Sequence, residues 1–142
     1  MDIEPLQENL STILPFLELQ NLLNLNVERE SKDDFLTFVR LMAPTLVSDW
    51  KMGRHIEVIS DKLNKLESGE IKRLMVFLPP RSSKSVLCSK LFPAWYIGRH
   101  PEHEILTVSH SDQLSSDFGR SVRDLVNDEK FQSIFKGVSL RT

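Results

Sequence analysis

The residues best suited to chemistry lie together at positions 78–85, in the sequence Leu-Pro-Pro-Arg-Ser-Ser-Lys-Ser. Lys84 and Ser85 place an ammonium group next to a hydroxyl group at the end of this stretch. A loop that binds nucleotide phosphates needs inward-facing backbone N–H groups, a lysine for the β- and γ-phosphates and a hydroxyl for Mg²⁺. We therefore expect a phosphate site with Ser85 as its Mg²⁺ ligand. The expected binding residues are Pro80, Arg81, Ser82, Ser83, Lys84 and Ser85.

The loop departs from the usual phosphate-binding pattern at two positions. Leu78 and Ser83 stand where that pattern has glycines. Serine is small enough to let the backbone approach a phosphate, but it does not tolerate positive φ as glycine does. Ser83 must therefore adopt a negative φ or bear strain. An alternative stays open, in which this is a polar connection whose lysine merely lies near the start of a helix.

Arg81 adds a second cation three residues before Lys84. An arginine aimed at the γ-phosphate stabilises transition-state charge or senses hydrolysis, so we expect Arg81 and Lys84 to be the catalytic residues. The alternative for Arg81 is a surface position or an ion pair with a nearby carboxylate. Hydrolysis also needs an acidic residue at the end of another strand, and we find no such strand. Asp128 and Glu129 follow a predicted helix instead and are expected on the surface.

Hydrophobic periodicity predicts helices in the first half of the chain. Residues 6–25 are rich in leucine at near-helical spacing, but Pro15 interrupts them and predicts one or two short helices. The next helix is expected to be capped by Ser31 and ended by Pro44. A third helix is predicted over residues 55–66, with Gly69 as its stop.

The pattern changes after residue 68. Residues 73–78 form a compact apolar run closed by two prolines, and residues 104–109 form another, as is typical of strands buried on both faces. A helix is predicted over residues 84–96, and another, capped by Ser111 or Asp112, follows the second run. Strand, loop, helix, strand and helix predict an α/β fold, part of the three-layer αβα architecture of P-loop NTPases with a parallel sheet. The expected domains are an N-terminal helical segment, 1–68, and a partial P-loop ATPase core, 69–142.

Length and composition indicate one globular domain. The chain has 142 residues, of which 40% are hydrophobic and 27% charged. The start of the chain lacks the pattern of a secretory signal, and no apolar run is long enough for a membrane span, so we expect a cytoplasmic protein. The net charge of −2 combines an acidic first third with a basic remainder, which is compatible with a polyanionic partner. The single cysteine, Cys88, excludes an internal disulfide.

Two segments together resemble the start of terminase large subunits from tailed double-stranded DNA bacteriophages and prophages. They are the Pro-Pro-Arg-x-x-Lys-Ser loop at 79–85 and the Phe-Pro-Ala-Trp-Tyr segment at 92–96. The resemblance covers about residues 35–140. In that family the loop is a variant Walker A motif, so the missing glycines are an expected departure.

The resemblance implies a viral DNA-packaging motor, in which an ATP-binding segment couples ATP hydrolysis to DNA translocation. It implies that Lys84 and Ser85 bind the phosphates of ATP and Mg²⁺, and that Arg81 contacts phosphate or couples hydrolysis to movement. The implied partners are double-stranded DNA, the portal protein and the terminase small subunit. No membrane is expected among the partners. Complete large subunits continue with Walker B acids and a nuclease domain. We therefore expect this chain by itself to lack nuclease activity and to hydrolyse ATP weakly or not at all.

Other interpretations remain open. Trp50 and His55 precede the first predicted strand, where such enzymes often build part of the nucleotide pocket, but packing is favoured for Trp50 and exposure to solvent for His55. Ser109 is expected to cap the following helix. The alternatives for the whole chain are another P-loop NTPase, such as a helicase-like protein, and a non-catalytic truncated remnant or interaction module.

Overall fold

The computed structural model describes the backbone of residues 4–140 and the side chains of residues 13–140. The outermost ends of the two expected domains, residues 1–3 and 141–142, lie outside this range. Helices dominate the described chain. They are α1 (Glu4–Asp33), α2 (Phe35–Leu46), α3 (Arg54–Glu67), a π-helix (Val86–Leu91) that continues into α4 (Phe92–Arg99), α5 (Asp112–Val126) and α6 (Glu129–Ile134). Residues 84 and 85 form a helical turn before the π-helix, so one continuous helix, here called the loop helix, spans residues 84–99.

The expected α/β fold is wrong, because residues 4–140 contain no β-strand and therefore no parallel sheet. Residues 73–78 and 104–109, here called the two apolar segments, lie outside any helix, and neither pairs with another described segment. In the first of them Leu74, Val76 and Leu78 pack against the core, whereas Met75 and Phe77 are 78% and 80% exposed. An apolar run alone does not distinguish a strand covered on both faces from an extended segment covered on one.

An aromatic core joins the first half of the chain to the loop helix. Trp95 is fully buried, and its ring centroid lies 5.3 Å from that of Phe35 in α2. The indole N–H of Trp95 donates a buried hydrogen bond of 3.0 Å to the carbonyl oxygen of Ser31. On the other side of the core, Phe38 contacts Phe131 edge-on at 6.2 Å. These contacts hold the loop helix, and with it the loop at its start, against α1 and α2.

The beginnings of two helices show how far the capping signals are reliable. Asp34, and not Ser31, caps α2, since the backbone N–H of Thr37 donates to its carboxylate at 2.8 Å. Ser31 lies inside α1, where its hydroxyl donates to the carbonyl of Val27. The expected cap at Ser111 is confirmed, because its hydroxyl accepts from the N–H of Leu114 at the start of α5.

Neither proline ends a helix where expected. Pro15 lies within α1, which is one helix of 30 residues, and Pro44 lies within α2, which continues to Leu46. A proline removes only one backbone hydrogen bond, and the rest of a helix can outweigh that loss. The third predicted helix is confirmed to within one residue at each end, and Gly69 follows it with a φ of 77°.

Replacing Asp34 with alanine should lower the free energy of unfolding by about 1–2 kcal/mol at neutral pH, because α2 loses its cap. Burial raises the pKa of Asp34, but hydrogen bonds from Thr37 and Asn64 outweigh it and hold that pKa below its usual value. A folded pKa below the unfolded one gives stability that is complete above the unfolded pKa and is lost as pH falls through the folded pKa. The difference between wild type and Asp34→Ala should therefore narrow below about pH 4.

Urea denaturation at neutral and acidic pH measures this difference. Asp49→Ala, in the exposed turn after α2, is the matched control and should change stability little at either pH. If the difference in free energy of unfolding between wild type and Asp34→Ala stayed constant down to acidic pH, the role assigned to the ionised carboxylate would be contradicted.

Candidate phosphate-binding loop

In the loop between residues 73–78 and the loop helix, the backbone φ alternates in sign. Arg81 and Ser83, with φ of 64° and 60°, are the only non-glycine residues of the described chain with a positive value. Pro80, Ser82 and Lys84 therefore have negative φ. Alternation in the sign of φ is the pattern of a nest, a concavity in which successive backbone N–H groups point toward one side and bind an anion.

Of the two possibilities expected for Ser83, a negative φ or a strained positive φ, the structure has the strained positive φ. A left-handed backbone costs a residue with a Cβ atom about 1–2 kcal/mol. Strain of this kind persists only where the surrounding structure imposes it, and it is concentrated at ligand-binding sites. The position that carries glycine in the usual motif thus keeps a glycine-like backbone here although its residue is serine.

The loop ends at a helix N-terminus, as a phosphate site requires. The carbonyl of Ser83 accepts from the N–H of Leu87 at 3.0 Å. The backbone N–H groups of residues 84–86 belong to the first turn, so the helix itself offers no carbonyl group to accept their hydrogen bonds. They also lie at the positive end of the helix dipole. Residues 79–86 line a hollow of about 230 Å³, so the structure brings all six expected binding residues together.

Two cations lie at this hollow. The side chains of Arg81 and Lys84 are exposed, and no carboxylate among the described side chains lies within ion-pair distance of either. Burial raises the pKa of the Cys88 thiol, one helical turn further on, and the positive charge of Lys84 partly opposes that rise. The hydroxyl of Ser82 donates to the carbonyl of Pro79 and closes the loop. Backbone shape, helix dipole and side-chain charge therefore all favour an anion.

A larger hollow of about 450 Å³ lies between α3 and residues 74–78. Most of its wall is aliphatic or aromatic, from side chains such as Val58, Ile59 and Phe77, and suits an apolar group, while Arg54 and Lys62 also line it. His55 is exposed at its edge. Trp50 lines neither hollow, since it packs against the core and donates to the sulfur of Met52 at 3.2 Å.

Ser109 takes part in the start of α5. Its hydroxyl donates to the carbonyl of Ser111 at 2.7 Å and lies 2.8 Å from the hydroxyl of Ser115. The expectation that Ser109 caps α5 is wrong, because the N-cap of this helix is Ser111. Asp128, expected on the surface, caps α6 by accepting from the N–H of Lys130.

A second polar cluster, not expected from the sequence, lies at the opposite end of the loop helix. Nε2 of His100 and Nε of Arg99 each lie 2.8 Å from the carboxylate of Glu67 in α3. Burial raises the pKa of Glu67, but these hydrogen bonds and charges outweigh it and lower the pKa overall. The available signal was the close spacing of His100, Glu102 and His103, whereas their proximity to Glu67 depends on the fold.

Comparisons of the chain with protein-family models, curated proteins and solved structures found no match. Within residues 4–140, no helix has both the length and the apolar character needed to cross a bilayer.

Ser83→Gly should raise the free energy of unfolding by up to about 1 kcal/mol, because glycine adopts a positive φ without a steric cost. Ser85→Gly is the matched control two residues later. Ser85 has a helical φ of −68°, so glycine there should instead lower stability by about 0.5–1 kcal/mol. Urea denaturation measures both changes. Equal destabilisation by the two glycines would contradict the strained backbone at Ser83.

Proposed function

We propose that this chain binds the phosphates of ATP together with Mg²⁺ through residues 80–85, as the nucleotide-binding segment of a phage terminase large subunit. The proposal rests on the positive φ of Arg81 and Ser83, which alternate with residues of negative φ. It gives a loop without glycines the backbone shape of an anion-binding nest. The site is built on the loop and the loop helix alone.

Each residue of the loop has a specific role in this proposal. The ammonium group of Lys84 contacts the β- and γ-phosphates, and the hydroxyl of Ser85 is a ligand of Mg²⁺. The guanidinium of Arg81 contacts the γ-phosphate, where it stabilises charge that develops during phosphoryl transfer. The N–H groups of the nest and of the first helical turn bind the remaining phosphate oxygens.

The packaging role rests on the resemblance, and the fold supplies a physical link between its two most specific segments. Both belong to the loop helix or to the loop before it. Residues 79–85 form the site, while Pro93, Ala94 and Trp95 are buried and fix the helix in the core. In the proposed function the partners are double-stranded DNA, the portal protein and the terminase small subunit, and the location is the host cytoplasm.

One observation favours a second candidate, an interaction module without catalysis. The two apolar segments, residues 73–78 and 104–109, expose large apolar side chains, with Phe77 at 80%, Leu106 at 89% and Val108 at 79%. Large exposed apolar side chains are typical of surfaces that bind another protein. This candidate predicts protein binding without nucleotide binding, so the experiment below separates the two.

Lys84→Ala should weaken the binding of Mg-ATP about 10- to 100-fold, because a charge-assisted hydrogen bond to phosphate is lost. Lys72→Ala is the matched control, since Lys72 is an exposed lysine that lines neither hollow. Isothermal titration calorimetry measures both affinities. Inorganic tripolyphosphate should compete with ATP, and adenosine should not, because the loop recognises phosphate.

Equal weakening by the two alanine variants would indicate non-specific attraction to a basic surface and would reject the site. Absence of Mg-ATP binding to the folded wild-type chain would also reject it and would leave the interaction module as the better candidate.

A further inference from the structure

Three possible metal ligands converge where the loop helix ends. They belong to His100, Glu102 and His103, and their ligand atoms all lie within 4.8 Å of one another. Nδ1 of His100 and Nε2 of His103 lie 4.0 Å and 3.8 Å from the same oxygen of Glu102. The two imidazole rings are nearly parallel, with an interplanar angle of 13° and centroids 5.0 Å apart.

The other nitrogen of His100 is held by a carboxylate. Its Nε2 lies 2.8 Å from an oxygen of Glu67, whose side chain is only 9% exposed and is also bound by Arg99. An ionised carboxylate only accepts hydrogen bonds, so Nε2 must carry the proton and donate. In the neutral ring the lone pair is then on Nδ1, the nitrogen that faces Glu102. Metal-binding histidines are commonly oriented by a carboxylate in this way.

His103 is oriented similarly by a hydroxyl group. Its Nδ1 lies 3.1 Å from Oη of Tyr96, one turn before the end of the loop helix. When Nδ1 donates its proton to this oxygen, the lone pair is on Nε2, the nitrogen that faces Glu102. In this tautomer of His103, both rings present a lone pair to one place while a neighbouring residue holds the opposite nitrogen.

We propose that His100, Glu102 and His103 bind a zinc ion through Nδ1, a carboxylate oxygen and Nε2. Two imidazoles and a carboxylate are ligands that zinc accepts at about 2.0–2.2 Å, which requires ligand atoms about 3.3 Å apart. The side chains of Glu102 and His103 are 66% and 50% exposed, so they can close the remaining distance. The cluster also lies at the negative end of the helix dipole, which favours a cation.

Zinc at this position has three protein ligands, which leaves the fourth tetrahedral position to water or to a group from a partner. The ion also ties the segment after the loop helix to α3, through the hydrogen bond between His100 and Glu67. This site lies at the end of the helix opposite to the phosphate loop and does not depend on ATP binding there.

Titration of the chain with zinc chloride in a phosphate-free buffer, followed by calorimetry, should show one zinc bound per chain. His103→Ala should weaken binding at least about 10-fold, because a direct ligand is lost. His55→Ala and His110→Ala are the matched controls, since these exposed residues are the other two histidines of the chain and should leave the affinity unchanged. Lys84→Ala should likewise bind zinc as the wild type does.

Glu67→Gln tests the orienting carboxylate and should weaken zinc binding about 10- to 100-fold. Circular dichroism shows whether each variant is folded, and cobalt substitution reports coordination through its absorption spectrum. A tetrahedral cobalt spectrum that is lost in His103→Ala would support the proposal. No zinc binding by the folded wild type, or equal weakening by His103→Ala and His110→Ala, would overturn it.

Discussion

The buried hydrogen bond from Trp95 to the carbonyl of Ser31 fixes the helix on which both candidate sites depend. A tryptophan side chain buries about 150–250 Å² of surface. At about 25 cal/mol per Å² this contributes roughly 4–6 kcal/mol as an upper estimate. The indole N–H could not be buried so deeply without an acceptor, and the end of α1 supplies one. The phosphate loop lies at one end of this anchored helix and the histidine cluster lies at the other.

The two ends of the helix differ in electrostatic character, and the residues at each end match that difference. Backbone N–H groups, Arg81 and Lys84 make the start positive, which suits phosphate. At the other end, helix carbonyl groups and the carboxylates of Glu67 and Glu102 favour a cation, and the guanidinium of Arg99 is paired there with Glu67. One helix therefore separates the candidate anion site from the candidate cation site.

Local signals made much of this structure predictable. Ser111 and the apolar spacing that follows it predicted α5 correctly, and the spacing of Ile56, Ile59 and Leu63 did the same for α3. In the loop, the pairing of Lys84 with Ser85 indicated the candidate site, and a serine at position 83 predicted either a negative φ or backbone strain. The answer depended on how the loop closes, which no single residue type determines.

Features that depend on distant parts of the chain were not predictable. Strand pairing is one, because the apolar run at 73–78 gives no information about whether a neighbouring segment offers its backbone groups. The bond between Glu67 and His100 joins residues 33 positions apart. The choice of Asp34 over Ser31 as the α2 cap also has a distant cause, since Asn64 donates to the same carboxylate at 2.8 Å.

The π-helix between the loop and Trp95 has a consequence for the direction in which the loop faces. The N–H of Phe92 donates to the carbonyl of Leu87, five residues back, where an α-helix would use the residue four back. Each residue turns an α-helix by about 100°, so the additional residue in this wide turn rotates the loop about the helix axis relative to the buried tryptophan. The wide turn thereby sets the direction in which the concavity of the candidate phosphate loop faces relative to the aromatic anchor.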